Sequence, residues 1–149
     1  MGKLPGEITN YLHQAVYNLQ INGDVYVANF LVEPAIRPLE GILKIALQEN
    51  GFPIRKEDKD YDTFFVFKEK EFGYVIKEQF LENPPSKEIQ KYLCKCYRFY
   101  RDNRHTMFHW DNPLGEDTTR IIKTVTEAHV IIRDAVALID EYYSIRSKS

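Results

Sequence analysis

The sequence predicts a mainly α fold: a four-helix bundle with a small β-hairpin insert between the second and third helices. Apolar residues recur at helical spacing in four segments. Residues 52–82 change instead to short aromatic runs, and breakers rich in Gly, Pro and Asn separate the pieces. At 149 residues, 44% of them apolar and 28% charged, the chain is expected to form one domain over 1–149 with a core of its own.

The first helix is expected over Gly6–Gln20, with Ile8, Leu12, Ala15, Val16 and Leu19 as its apolar side and "NGD" as its stop. From about Val25 to Asn50 the helical period returns, and Gly51 suits a C-terminal stop. Pro34 and Pro38 fall inside this segment, so a kink or restart is expected near Glu33. "TFFVF" and "FGYVI" on either side of "KEKE" read as paired short strands. After "NPPS", Ser86 is a suitable cap for a third helix running to about His109. "WDNPLGED" closes that helix and Asp117 caps the last one. There Ile121, Ile122, Val125, Ala128, Ile132, Ala135, Val136, Ile139 and Tyr142 form a wide apolar face.

Several function classes drop out early. No apolar run approaches the ~20 residues that span a bilayer, and the N-terminus lacks the apolar core and cleavage site of a signal peptide. Met1-Gly2 is not followed by a Ser or Thr at the spacing of a myristoylation signal. Cys94 and Cys96 sit two apart on a helical pattern, too close and wrongly directed for a disulfide, so a reducing cytoplasm is expected. The net charge of −2 points to no acidic partner, but a local basic surface would suffice for nucleic acid.

Drawn at about 100° per residue, the third helix puts Ile89, Leu93, Cys96, Tyr97, Tyr100, Met107 and Phe108 on one side. Lys87, Lys91, Lys95, Arg98 and Arg101 form a stripe on the other. That stripe reads either as a solvated face or as a track for an RNA backbone. Arg104 breaks the pattern by falling near the centre of the apolar side. A guanidinium keeps its charge, so there it requires a carboxylate, a phosphate or several carbonyls.

Three readings of the helix end stay open. Arg104 makes an interhelical salt bridge while His105 and His109 favour the negative end of the helix dipole. Alternatively, His105 and His109 bind zinc with a further ligand from Asp111, Glu116 or His129, although no Glu follows the first His as in H-E-x-x-H. In the third reading His109 is a general acid or base and Arg104 stabilises a phosphorane, as RNA cleavage by 2′-OH attack requires, with no metal or other cofactor.

"RHTMFH", Arg104–His109, is an R-x4-H string at the end of a long helix, and it resembles the HEPN superfamily of ribonucleases. "AIRPLEG", Ala35–Gly41, places Arg37 and Glu40 three apart on the second helix. Together with "RHxxFHxD", that pairing is similar to the C-terminal HEPN domain of the RNase LS (RnlA/LsoA-type) toxins, from about residue 10 to 145. The resemblance implies Arg37, Glu40, Arg104 and His109 as the catalytic set; Arg98 and Arg101 of the basic stripe, with His105 on the same side, are the candidate contacts to the RNA substrate. The resemblance also implies a homodimer with a composite cleft between two R-x4-H motifs, and an antitoxin protein as a candidate partner.

Glu40 is then placed to neutralise Arg104 or to orient His109. Otherwise Arg37 and Glu40 form an ordinary exposed i,i+3 ion pair. Lacking the toxins' N-terminal domains, the chain reads as a stand-alone relative or a fragment. HEPN toxins paired with nucleotidyltransferase antitoxins carry a Tyr two residues after the motif His; here Asp111 stands there, so AMPylation control is not implied. The alternative function is a non-catalytic HEPN-like module that binds RNA or protein.

Overall fold

The computed structural model describes residues 6–23, 28–54, 61–105, 122 and 124–148, without the side chains of 62, 104, 105 and 148. Its elements are α1 (Gly6–Asn18), α2 (Asn29–Glu49), β1 (Phe65–Lys68), β2 (Gly73–Ile76), α3 (Lys87–Tyr100) and α4 (Val125–Lys148). The mainly helical architecture with a hairpin between the second and third helices is the one the residue pattern predicts.

Helix α2 is the centre of the bundle and packs against α1, α3 and α4. It runs unbroken through Pro34 and Pro38, so the restart expected near Glu33 does not occur. Each interior proline costs roughly 3 kcal/mol. Burying one Leu or Ile returns about 1.5–3 kcal/mol, and α2 fully buries Leu31, Val32, Leu39, Leu43 and Leu47. Packing overrides propensity here. At the other end of α1, buried Asn18 donates Nδ2 to the Leu31 carbonyl at 3.0 Å, tying that helix end to the start of α2. Val16, expected on the apolar side of α1, is instead 49% exposed, and Asn18 takes the buried place.

The hairpin is antiparallel, with Phe65 opposite Ile76 and Phe67 opposite Tyr74. Strand residues two apart share a face, so Phe65, Phe67, Tyr74 and Ile76 face one way. That side lies on α3: Phe65 stacks on Tyr97 at 4.2 Å, and Tyr74 meets the Tyr97 ring edge-on at 5.0 Å. The aromatic residues that made this stretch ambiguous in sequence are the ones that glue it to the bundle.

Ser86 caps α3 as expected, its Oγ accepting from the Ile89 N–H at 3.2 Å. The α-helix ends at Tyr100, however, and continues as a π turn over Arg101–His105. Buried Asn103 donates Nδ2 to the Phe99 carbonyl at 2.8 Å, a side-chain donor where π geometry shifts the backbone N–H away from the i−4 carbonyl. A π turn advances less per residue than an α-helix, so the wheel position drawn for Arg104 does not carry over.

The last helix also starts later than the Asp117 cap implied. It opens at Val125, and Thr124 Oγ1 accepts from the Glu127 N–H at 3.1 Å. Ile122 lies before it, fully buried, exchanging backbone bonds with Ala28 and the Asn29 side chain at 2.7 Å each. Asp117 and Ile121 lie outside the described residues. The α3–α4 seam closes on a Tyr92–Tyr142 stack, with the Tyr92 hydroxyl donating to the Leu138 carbonyl at 2.7 Å.

Candidate active site

Arg37 and Glu40 lie one turn apart on α2 and both line a concavity of about 280 Å³, together with Tyr11, Lys44 and Tyr61. They do not pair with each other. Arg37 Nε sits 3.3 Å from Glu33 Oε1, one turn back, with side chains 58% and 48% exposed. An exposed i,i+4 pair of this kind contributes about 0.3–0.5 kcal/mol. The Arg37 guanidinium also lies over the Tyr11 ring, 5.7 Å from its centroid. The Glu40 carboxylate makes no ion pair among the described residues.

The concavity depends on a close approach of two helices. A Cβ added to Gly41 would stand 2.7 Å from Ile8 Cδ1, so a larger residue would force the end of the Ile8 side chain aside. Tyr11 is three residues on from Ile8, and Arg37 four residues before Gly41. The two helices therefore run antiparallel at this point, and the contact at Ile8 sets the Tyr11–Arg37 spacing one turn away.

Tyr61 connects this concavity to the end of α3. It adopts a left-handed backbone, φ 57°, an uncommon conformation for a bulky residue. Its buried ring lies 6.2 Å from that of Tyr100, the last residue before the π turn. The π turn itself touches α2. The backbone that carries Arg104 thus lies beside the helix that carries Arg37 and Glu40. The side chains of Arg104 and His105, and all of His109, lie outside the described residues, as do Asp111 and Glu116.

Arg98 and Arg101 face the hairpin. Arg98 Nη1 donates to the Phe72 carbonyl at 3.0 Å, and a Cβ on Gly73 would come within 3.2 Å of that nitrogen. Its Nε lies 3.8 Å from Asp102, and the side chain remains 55% exposed. Arg101 Nη1 donates to the Tyr97 hydroxyl at 3.1 Å, and its guanidinium lies 5.6 Å over the Tyr74 ring. Farther along the stripe, Lys95 pairs with Glu141 of α4 at 2.7 Å, while Lys87 and Lys91 are exposed. The stripe is therefore not uniform: its C-terminal half also fastens neighbouring elements.

Among the described residues no three His, Cys, Asp or Glu side chains gather as metal ligands. Cys94 and Cys96 are free thiols, as their spacing implied. Burial pushes the Cys96 thiol up to about 12, which keeps it protonated and unreactive at neutral pH. No described helix is long and apolar enough to cross a membrane.

The family described as RNase LS, bacterial toxin DBD domain, matches residues 1–111. The chain belongs to this family. Among its relatives, mRNA endoribonuclease toxin LS of Escherichia coli strain K12 is 27% identical over 70% of this chain and 29% of its own length. The mRNA endoribonuclease LsoA of Escherichia coli O157:H7 is 33% identical over 71% of this chain and 28% of its own. The fold is similar to that of Escherichia coli toxin LsoA, seen in a crystal structure with the T4 phage antitoxin Dmd. That likeness has a TM-score of 0.74 at 26% identity, over 97% of this chain and 54% of the other. The chain spans less than a third of the two curated relatives and about half of the LsoA chain.

The family match takes in Arg37, Glu40, Arg104 and His109. Sequence reasoning singled out those residues but missed Tyr11, Lys44 and Tyr61, which line the same concavity as Arg37 and Glu40. Tyr11 was legible in principle as an aromatic on the polar side of an amphipathic helix. Tyr61 was not, because its placement depends on a left-handed backbone that nothing local announces.

Proposed function

We propose that this chain is the nuclease portion of a metal-independent endoribonuclease of the toxin type, built on a HEPN-like bundle. One observation carries the reading: the match to the RNase LS toxin family spans the whole R-x4-H string. Two relatives named as mRNA endoribonucleases support it. The shared concavity of Arg37 and Glu40, beside the π turn that leads into Arg104, supports it.

The chemistry follows from the residue types. The ribose 2′-OH attacks the adjacent phosphorus while its proton passes to a base. The P–O5′ bond breaks, and the leaving oxygen takes a proton. The products are a 2′,3′-cyclic phosphate and a 5′-hydroxyl. His109 serves as base or acid in this exchange, since imidazole titrates near neutrality. Arg104 binds the scissile phosphate and the extra negative charge of its phosphorane. Glu40 orients His109 through a ring nitrogen, and Arg37 assists at the phosphate. Arg98, Arg101 and His105 contact the RNA backbone farther along. A homodimer brings two such sets across a two-fold axis, where Glu40 and RNA offset the accumulated cations.

The test is product chemistry. Purified chain should leave 2′,3′-cyclic phosphate ends on RNA, and a 2′-deoxy substitution at the cleaved nucleotide should block the cut. Cleavage that proceeds through the deoxy position would refute 2′-OH attack.

The second reading is a module that binds a partner without cutting, and the LsoA structure with the antitoxin Dmd favours it. In that reading an antitoxin docks on this chain, and purified chain binds it but releases no cyclic phosphate from RNA.

A further inference from the structure

We propose that Tyr11 is a stacking platform for one base of single-stranded RNA, with Arg37 and Lys44 holding the phosphates beside it. The proposal deepens the endoribonuclease reading and rests on it for the identity of the ligand.

Three features of the concavity lead there. Of the two tyrosines that line the concavity, Tyr11 is 39% exposed whereas Tyr61 is buried. The Arg37 guanidinium already lies over the Tyr11 ring, 5.7 Å from its centroid, on a face that an arriving base would share. The cation over it is loosely held, since its ion pair with Glu33 is exposed on both sides. Exposed cation–π contacts are weaker than base–aromatic stacking. An arriving base can therefore take the ring face and free Arg37 to follow the phosphate.

The charges around the ring fit a nucleotide better than a bare phosphate. Lys44, one turn beyond Glu40, adds a second cation, while Glu7 in the first turn of α1 adds a carboxylate. Carboxylates repel phosphate but accept hydrogen bonds from the amino groups of base edges. The Gly41–Ile8 contact holds the platform in register with Arg37.

The experiment measures binding of the full chain to a fluorescein-labelled 2′-O-methyl single-stranded RNA of mixed sequence, which cannot be cut through a 2′-OH. Tyr11→Ala should weaken binding roughly 5- to 100-fold, and Tyr11→Phe should bind like the parent chain, because the ring does the work. With an abasic version of the same strand, the difference between Tyr11→Ala and the parent should disappear. Lys44→Ala should flatten the dependence of log K on log salt by about 0.7, a slope that Tyr11→Ala leaves alone. Equal binding by Tyr11→Ala and the parent overturns the proposal, as does no binding by the parent. So does a Tyr11→Phe variant as weak as Tyr11→Ala, with circular dichroism showing both folded. Loss of cleavage chemistry with Tyr11-dependent binding intact sinks the nuclease reading and leaves the platform standing; the reverse pattern does the opposite.

Discussion

Ile8 of α1 lies so close to Gly41 of α2 that a methyl group there would stand 2.7 Å from its Cδ1 and 3.3 Å from its Cγ1. The two residues act as a gauge for the whole concavity. One turn away on each helix stand Tyr11 and Arg37, whose spacing follows from this approach.

Gly41→Ala sets two effects against each other. Alanine favours the helix by about 1 kcal/mol over glycine, while overpacking costs typically ~1–3 kcal/mol. The clash falls on the end of a side chain, so α1 and Ile8 share the adjustment. The denaturation midpoint should fall by the equivalent of about 1 kcal/mol. Ile8→Ala combined with Gly41→Ala should recover most of the coupling in a double-mutant cycle. Additive single effects would show that the two side chains do not meet.

Alkaline pH should destabilise the chain through Cys96. Its thiol titrates near 9.0 when exposed but is pushed up to about 12 by burial, with Glu141 adding a smaller push against the opposing Tyr92 and Lys95. Above pH 9 the unfolded chain sheds a proton that the folded chain keeps, so stability falls as pH rises. The stability is fully present below pH 9, and between 9 and about 12 its loss approaches about 1.4 kcal/mol per pH step. Denaturant midpoints measured across this range should decline less steeply for Cys96→Ala. A residual decline above pH 10 should persist, because burial also raises the Tyr92 and Tyr142 phenols.

Arg98 offers a way to separate fastening from substrate contact. Its bond to the Phe72 carbonyl ties α3 to the turn between the strands. Arg98→Ala should cost about 0.5–1.5 kcal/mol, concentrated in the hairpin. Hydrogen exchange should speed up at the β1–β2 amides while those of α2 hold their protection. Unchanged exchange in the hairpin would show that the Arg98–Phe72 bond does not fasten it.

The helices were legible because burial follows the 3.6-residue period. In α3 the apolar side drawn from sequence, Ile89, Leu93, Cys96, Tyr97 and Tyr100, is the buried side. Boundaries and breaks were not. Pro34 and Pro38 signal an interruption locally, but burial along the rest of α2 outweighs them, a sum over neighbours distant in sequence. The π turn after Tyr100 has no periodic signature, so a wheel drawn at α-helical spacing stops applying at Arg101, before the motif begins. At the site, Arg37 and Glu40 were legible as a motif. Their partners were not, because Glu33 competes for Arg37 and Tyr11 arrives from another helix. The basic stripe looked uniform for the same reason: Phe72 and Glu141, which engage Arg98 and Lys95, are far away in the chain.

Metal-independent catalysis by His109 is tested by RNA cleavage in the presence of EDTA, with the full chain and with its His109→Ala variant. Imidazole acid–base chemistry needs no metal, and removing a general acid or base typically costs 10²- to 10⁴-fold. The parent chain should cut RNA undiminished by EDTA, and His109→Ala, folded by circular dichroism, should lose that activity. Undiminished cleavage by purified His109→Ala, or cleavage by the parent that EDTA abolishes, would contradict metal-independent catalysis by His109.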